Sequence, residues 1–226
     1  MKRVVIMQPY FFPYLGYFQL LHSSDVFVFF DNVNYINKGW INRNQFMLSG
    51  SLKMFTIPLS GASQNRLINE IDILDGHWTK LFFKSLEMNY RKSLNYDQLI
   101  DSLKALIGDG MGKISDLNQR TTMWCASHLG LKNDFKVSSS DFPNVSGVGK
   151  ERILGICKEL SAEGYNNAIG GMDLYEKQDF LNDGIQLNFV EMGDVSLMNK
   201  YASILDLMMN HEIEQIKAEV KNYSLV

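Results

Sequence analysis

The chain has 226 residues and a formal net charge of -3, and its 46% hydrophobic against 21% charged residues exclude an intrinsically disordered chain. At this length one large domain can bury most of the surface its unfolded chain exposes, so a single domain over residues 1–226 is expected without disulfides or metals. A pI near 5.8 argues against nucleic acid as the partner, because phosphate binding shows as a basic excess or stripe.

Lys2 and Arg3 followed by Val4 to Met7 have the order of a secretory signal, but the apolar run stops at Gln8-Pro9, too short for a signal core. No run is long enough to span a bilayer, and a cytoplasmic location is expected. Val4 to Met7 reads as a buried central strand, and Asp25 to Asp31 as a second. Between them Leu15, Phe18, Leu20, Leu21 and His22 suit a short helix entered through the Pro13 turn, which makes a parallel βαβ unit with a right-handed crossover.

Leu52 to Leu59 reads as another strand. From His77 apolar residues recur at three and four: Trp78, Leu81, Phe82 and Leu86, then Tyr96, Leu99, Ile100, Leu103 and Ile107, then Ile114, Leu117, Thr121, Trp124, Cys125 and His128. A strand at Phe135 to Ser138 follows, then a helix with Ile153, Ile156, Cys157 and Leu160. A strand near Tyr165 to Ile169, a helix around Leu174 to Leu181 and a strand from Ile185 to Val190 complete the alternation. The expected fold is α/β, a mostly parallel sheet flanked by helices, with a helical insertion around residues 77–130. Cys125 and Cys157 fall on apolar helix faces and are expected to pack as small hydrophobes.

Gln8 to Phe18 places six aromatic rings, two prolines and a glycine directly after the first strand, at the end of a parallel strand where ligands bind in open α/β sheets. Gln8, Tyr10, Gly16 and Tyr17 are binding candidates there, although a rigid aromatic turn plugging the core accounts for the same residues. After the second strand come Asp31, Asn34, Lys38, Trp40, Asn42 and Arg43, and Asp31 is the general-base candidate. Arg43 offers a planar fork for a carboxylate or phosphate, and Asn42 suits a sugar hydroxyl; a hydrated loop built on Asx turns is the alternative. Lys150 follows Gly147-Val148-Gly149 at a helix start that suits a phosphate without matching a Walker motif. Gly170-Gly171 before Tyr175 reads either as a second such turn or as an ordinary β-α connection, and Asp206 is a lesser base candidate. His22, His77, His128 and His211 lack metal-ligand spacing, so no metal site is expected.

Gln8-Pro9-x-x-x-Pro13-x-x-Gly16-Tyr17-Phe18, Ser24-Asp25-Val26-Phe27-Val28 with Asp31 and Tyr35, Trp40-x-Asn42-Arg43, the block from Tyr165 to Tyr175, and Ser203-Ile204-Leu205-Asp206 with Asn210 closely resemble the WbqC-like protein family. The chain departs from the family pattern at Asn34, where glutamine is usual before Tyr35, and at Asn199-Lys200-Tyr201, which replaces a Phe-x-Pro lead. The resemblance implies a role in O-antigen or other surface-polysaccharide biosynthesis: a transferase or ligase that attaches an amino acid such as glycine, or another acyl group, to the amine of a nucleotide-linked amino sugar. A non-catalytic protein that binds the sugar nucleotide or partners a pathway enzyme is the alternative. The implied partners are the nucleotide sugar and an acyl donor, with ATP and an acyl-CoA both open as cofactors. The opening also resembles nucleotidylyltransferase-type enzymes such as pantothenate synthetase, but their His-x-Gly-His signature is absent, with Tyr14 and Tyr17 flanking Leu15-Gly16.

Overall fold

The computed structural model describes residues 1–197 and 199–226. Strand β1 (Arg3–Met7), helix α1 (Leu15–His22) and strand β2 (Val26–Phe29) form the expected parallel unit, with Val4 opposite Val26 and Met7 opposite Phe29. Alternate residues face opposite sides of a strand, so Val5, Phe27 and Phe29 enter one hydrophobic cluster and Val4, Ile6, Val26 and Val28 the other. That double burial is why these segments read as continuous apolar runs rather than alternating ones.

Residues 43–48, which carry no strand signal in the sequence reading, form β3 (Arg43–Leu48), and it pairs antiparallel with β4 (Ser51–Thr56). Ser49 and Gly50, with φ of 53° and 75°, make the two-residue turn whose twist suits a hairpin. The strand expected at Leu52 to Leu59 is therefore half of a separate hairpin, which breaks off before Pro58. A second short pair, β5 (Leu59–Ser60) and β6 (Asp72–Ile73), leads into the insertion.

Helices α2 (His77–Tyr90), α3 (Tyr96–Ile107) and α4 (Ile114–His128) bear out the helical insertion. Trp78, Phe82, Leu103 and Leu117 from their buried faces join the cluster on the α1 side of the sheet. The chain then returns as β7 (Asp134–Val137), parallel to β2, followed by one turn, α5 (Ser138–Asp141), and by α6 (Lys150–Glu159). Helix α6 packs on the other face and delivers β8 (Gly164–Ala168) to the opposite side of β1. A 3₁₀ stretch, Ile169–Leu174, precedes the short α7 (Lys177–Leu181), and β9 (Gln186–Met192) runs parallel to β8. Helices α8 (Ile204–Asn210) and α9 (Ile213–Val220) precede the antiparallel edge strand β10 (Tyr223–Leu225).

Among the described residues the main sheet has the order β10-β9-β8-β1-β2-β7. The strands fill one side of β1 first and then the other, so the order reverses between β1 and β8. In open α/β sheets the carboxyl ends beside such a reversal frame the ligand crevice. Cys125 and Cys157 are both buried and unpaired, as expected of small hydrophobes. No helix among the described residues is long and apolar enough to cross a membrane.

Candidate functional site

The chain after β1 is folded back on itself by amide groups rather than by a standard helix cap. Asn44 on β3 donates its Nδ2 to the carbonyls of Phe11 (3.0 Å) and Phe12 (2.7 Å), and Phe11 N donates to Trp40 O at 3.1 Å. Asn118 on α4 donates its Nδ2 both to Pro9 O (3.0 Å) and to Ile41 O (2.6 Å). Each of these carbonyls belongs to a residue next to one that lines a cleft, so one buried amide fixes the spacing of both walls. Phe12 is held at φ 41°, a left-handed conformation that costs a bulky residue energy and persists where the surroundings over-determine it. Its ring stacks on Phe82 of α2, which supplies part of that compensation.

The cleft so formed has a volume of about 330 Å3. Tyr10, Tyr14, Trp40 and Tyr201 give it aromatic walls, with Pro13, Asn44 and Gln45 between them. Trp40 is 43% and Tyr201 64% exposed, unusual for large aromatics that have nothing to cover. The Asn44 amide is consumed by the backbone, whereas the Gln45 side chain makes no hydrogen bond among the described residues. Burial, and secondarily a neighbouring tyrosine, raises the phenols of Tyr10 and Tyr14 above their ordinary value. At neutral pH the phenols of Tyr10 and Tyr14 are therefore uncharged, with hydroxyls that donate and accept. Among the described residues the lining holds no carboxylate, imidazole or thiol.

The expected site residues divide by location. Gln8, Tyr10 and Tyr17 form one chain of contacts, in which Tyr10 Oη donates to Gln8 Oε1 (3.3 Å) and Tyr17 Oη to Gln8 O (2.9 Å). Tyr17 is buried and Tyr10 lines the cleft. A Cβ on Gly16 would lie 2.6 Å from the ring of Tyr14, so its hydrogen is what lets that ring fold over the start of α1. Asn42 is an internal staple: its Oδ1 accepts from Tyr35 Oη at 2.8 Å and its Nδ2 donates to Ile57 O at 2.8 Å. Arg43 spends its fork on the turn before Trp40, with Nε donating to Gly39 O at 3.0 Å and Nη2 to Lys38 O. Lys38 is exposed on that turn, in a left-handed conformation of φ 58°, and Asn34 is exposed three residues past Asp31.

Asp31 is 2% exposed, and both of its carboxylate oxygens accept hydrogen bonds. Ser138 Oγ (2.9 Å) and Ser139 N (3.0 Å) donate to Oδ1, and Ser139 Oγ donates to Oδ2 at 2.6 Å. The residue thus ties the carboxyl end of β2 to that of β7. Asp206 is tied in the same manner, its Oδ1 accepting from Met47 N at 3.0 Å and from Tyr90 Oη, which joins α8, β3 and α2. Burial and the Asp206 carboxylate hold the Tyr90 phenol far above its ordinary value.

Lys150 and Tyr175 lie away from the cleft. Lys150 pairs with Asp179 of α7, and Tyr175 packs edge-on against Tyr165 and Phe180 in the cluster on the other face of the sheet. Sequence reasoning missed Tyr14, Gln45 and Tyr201, and with them the positioning role of Asn118. Tyr14 and Tyr201 sit in segments it did examine, but nothing in residue spacing reveals that residues 14 and 201 meet, their ring centres 6.5 Å apart.

A curated relative, the "Uncharacterized protein Rv1507c" of Mycobacterium tuberculosis (strain ATCC 25618 / H37Rv), is 25% identical over 232 residues, covering 99% of this chain and 97% of its own. No solved structure matches the chain. The profile of the WbqC-like protein family matches residues 8–218, a span that holds every residue lining the cleft. The chain belongs to the WbqC-like protein family.

Proposed function

We propose that this protein binds a nucleotide-linked amino sugar at the carboxyl edge of its sheet and attaches an amino acid, such as glycine, or another acyl group to the sugar amine, in the assembly of a surface polysaccharide. The observation that carries the reading is the aromatic cleft. Four exposed or half-exposed rings, pre-set by buried amides, form the kind of concave, mostly apolar site with a few polar groups that small ligands use. Aromatic rings also stack on nucleobases, at a gain of about 1–3 kcal/mol per base.

Amide formation needs the amine unprotonated, and Asp31 is the group proposed to take its proton. For that it must release Ser139 Oγ, whose hydroxyl can rotate away without moving the backbone. Lys38 is the proposed partner for the pyrophosphate, because the Nε and Nη2 donors of Arg43 already serve the turn. A second reading is a non-catalytic protein that holds the sugar nucleotide for another enzyme of the pathway. It is favoured by the lack of any acid, imidazole or thiol among the described cleft residues.

The deciding experiment incubates the protein with UDP-, dTDP- and GDP-amino sugars, each with acyl-CoAs or with glycine and ATP, and follows product masses. A mass gain of one acyl or aminoacyl unit that disappears in Asp31→Asn supports the transferase. Saturable binding without any new mass supports the second reading, and the absence of binding by every sugar nucleotide removes both.

A further inference from the structure

A second groove, of roughly 450 Å3, opens beside Asn34, Tyr35, Ile36, Asn37, Gln64 and Asn65. Its two sides are joined by a short ladder: Ile68 N donates to Val33 O (3.0 Å), Tyr35 N donates to Arg66 O (2.9 Å), and Asn34 bridges Leu67. Tyr35 is buried and has given its hydroxyl to Asn42. What the groove presents is four side-chain amides, those of Asn34, Asn37, Gln64 and Asn65. None of these side chains makes a hydrogen bond among the described residues, in contrast to Asn42, Asn44 and Asn118, whose amides are engaged inside the fold.

Each such amide offers two donors and an acceptor without charge. That set matches a ligand whose neighbouring hydroxyls both donate and accept, and Ile36, 49% exposed, adds an apolar patch for its C–H face. Among the described residues the lining has no cation to neutralise a phosphate. A cation is found instead on the turn that separates the groove from the aromatic cleft: Gly39 N donates to Ile36 O at 3.1 Å, and Lys38 stands at the apex. Asn37 of the groove and Trp40 of the cleft are three residues apart, so their Cα atoms are separated by at most about 11 Å. One extended ligand can reach both.

We propose that the two depressions are halves of one bipartite site, the amide groove taking the sugar and the aromatic cleft the nucleobase, with Lys38 between them for the pyrophosphate. The assignment rests on the sugar-nucleotide reading above and divides that ligand between two subsites. The ladder that shapes the groove continues along the backbone to Asp31 O, which accepts from Asn69 N at 3.0 Å.

The test is a nitrogen-15 NMR titration of the full chain with UDP, dTDP and GDP and with their N-acetylamino-sugar and amino-sugar conjugates. The bare nucleoside diphosphate is expected to shift the Trp40 indole N–H and leave the groove amides in place. The matching conjugate is expected to shift both, and to bind about tenfold more tightly, the gain from two or so net hydrogen bonds. A double variant, Gln64→Ala with Asn65→Ala, removes that tenfold gain. Groove amides that stay silent to every conjugate while the indole responds overturn the division but keep the cleft. Groove amides that respond to the diphosphate as strongly as to the conjugate overturn it too, as does a sugar increment that survives in the double variant. An indole and groove that are both silent to all ligands take the underlying reading down with it.

Discussion

A methyl group at Gly16 meets the Tyr14 ring at 2.6 Å, yet the obstacle is the far end of a half-exposed side chain that can swing aside. Alanine also stabilises a helix by about 0.5–1 kcal/mol relative to glycine. Gly16→Ala is therefore expected to keep or slightly raise the melting temperature while weakening ligand binding in the cleft several-fold, because Tyr14 is one of its walls. A calorimetric scan beside a binding titration checks both halves; unchanged affinity would show that Tyr14 does not touch the ligand. Asn118→Leu tests the amide hinge: it frees two carbonyls at once and should cost about 2–4 kcal/mol, at roughly 1–2 per orphaned group. Denaturant unfolding measures the cost, and a loss below 1 kcal/mol would mean that water replaces the amide easily. At this scale the sequence is legible only in part. The crowding of asparagines around residues 32–44 is visible, but whether an asparagine is a staple, like Asn42, or presents a free amide, like Asn34 and Asn37, depends on which carbonyls come near it. Partners such as Ile57 and Phe11 are set by the tertiary fold.

The elements that were legible are those whose burial leaves a pattern. β1 and β2 announce themselves because both faces are covered, and α2 to α4 because one face is. The β3–β4 hairpin was only half seen, since β4 is almost wholly exposed and β3 mixes polar and apolar residues. Its one local signal is Ser49-Gly50, a pair that tolerates positive φ. What docks the hairpin is the Ser203-Ile204-Leu205-Asp206 block: Ser203 N donates to Gln45 O at 2.9 Å and Asp206 accepts from Met47 N. That places the motif beneath the cleft residue Gln45 and gives it a structural task. Asp206→Ala removes the acceptor of Tyr90 Oη as well, leaving a buried hydroxyl unpaired, and is expected to destabilise the fold by about 2–4 kcal/mol. Hydrogen exchange at Met47 should accelerate more than exchange in β1. Equal acceleration at both would mean that the hairpin unfolds only with the sheet.

Across the whole molecule, the alternation of strands and helices gave the α/β class, while the order β8-β1-β2 follows from crossovers that residue patterns do not encode. The two hydrophobic clusters cover the two faces of one sheet, so the chain is proposed to unfold as one cooperative unit. Alkali tests this. In the unfolded chain the thiols of Cys125 and Cys157 release protons near pH 9.0 and the phenols of Tyr17, Tyr90 and Tyr165 near 10.0. In the folded chain burial pushes the Cys157 thiol up to about 12 and moves the other four in the same direction. The native state then binds more protons than the unfolded state above pH 9, so stability is whole below that pH and falls as pH rises toward the folded values. Each group contributes a slope of about 1.4 kcal/mol per pH unit once its unfolded counterpart has ionised. All five shifts act in the same direction, so the loss of stability steepens as pH rises past 10 and the phenols join the thiols. Circular dichroism and tyrosinate absorbance recorded along one alkaline titration should change together in a single steep step. Tyrosinate appearing gradually around pH 10 with the helical signal intact would show that these phenols reach water without unfolding, and that the core around Tyr17 and Tyr165 is looser than its burial implies.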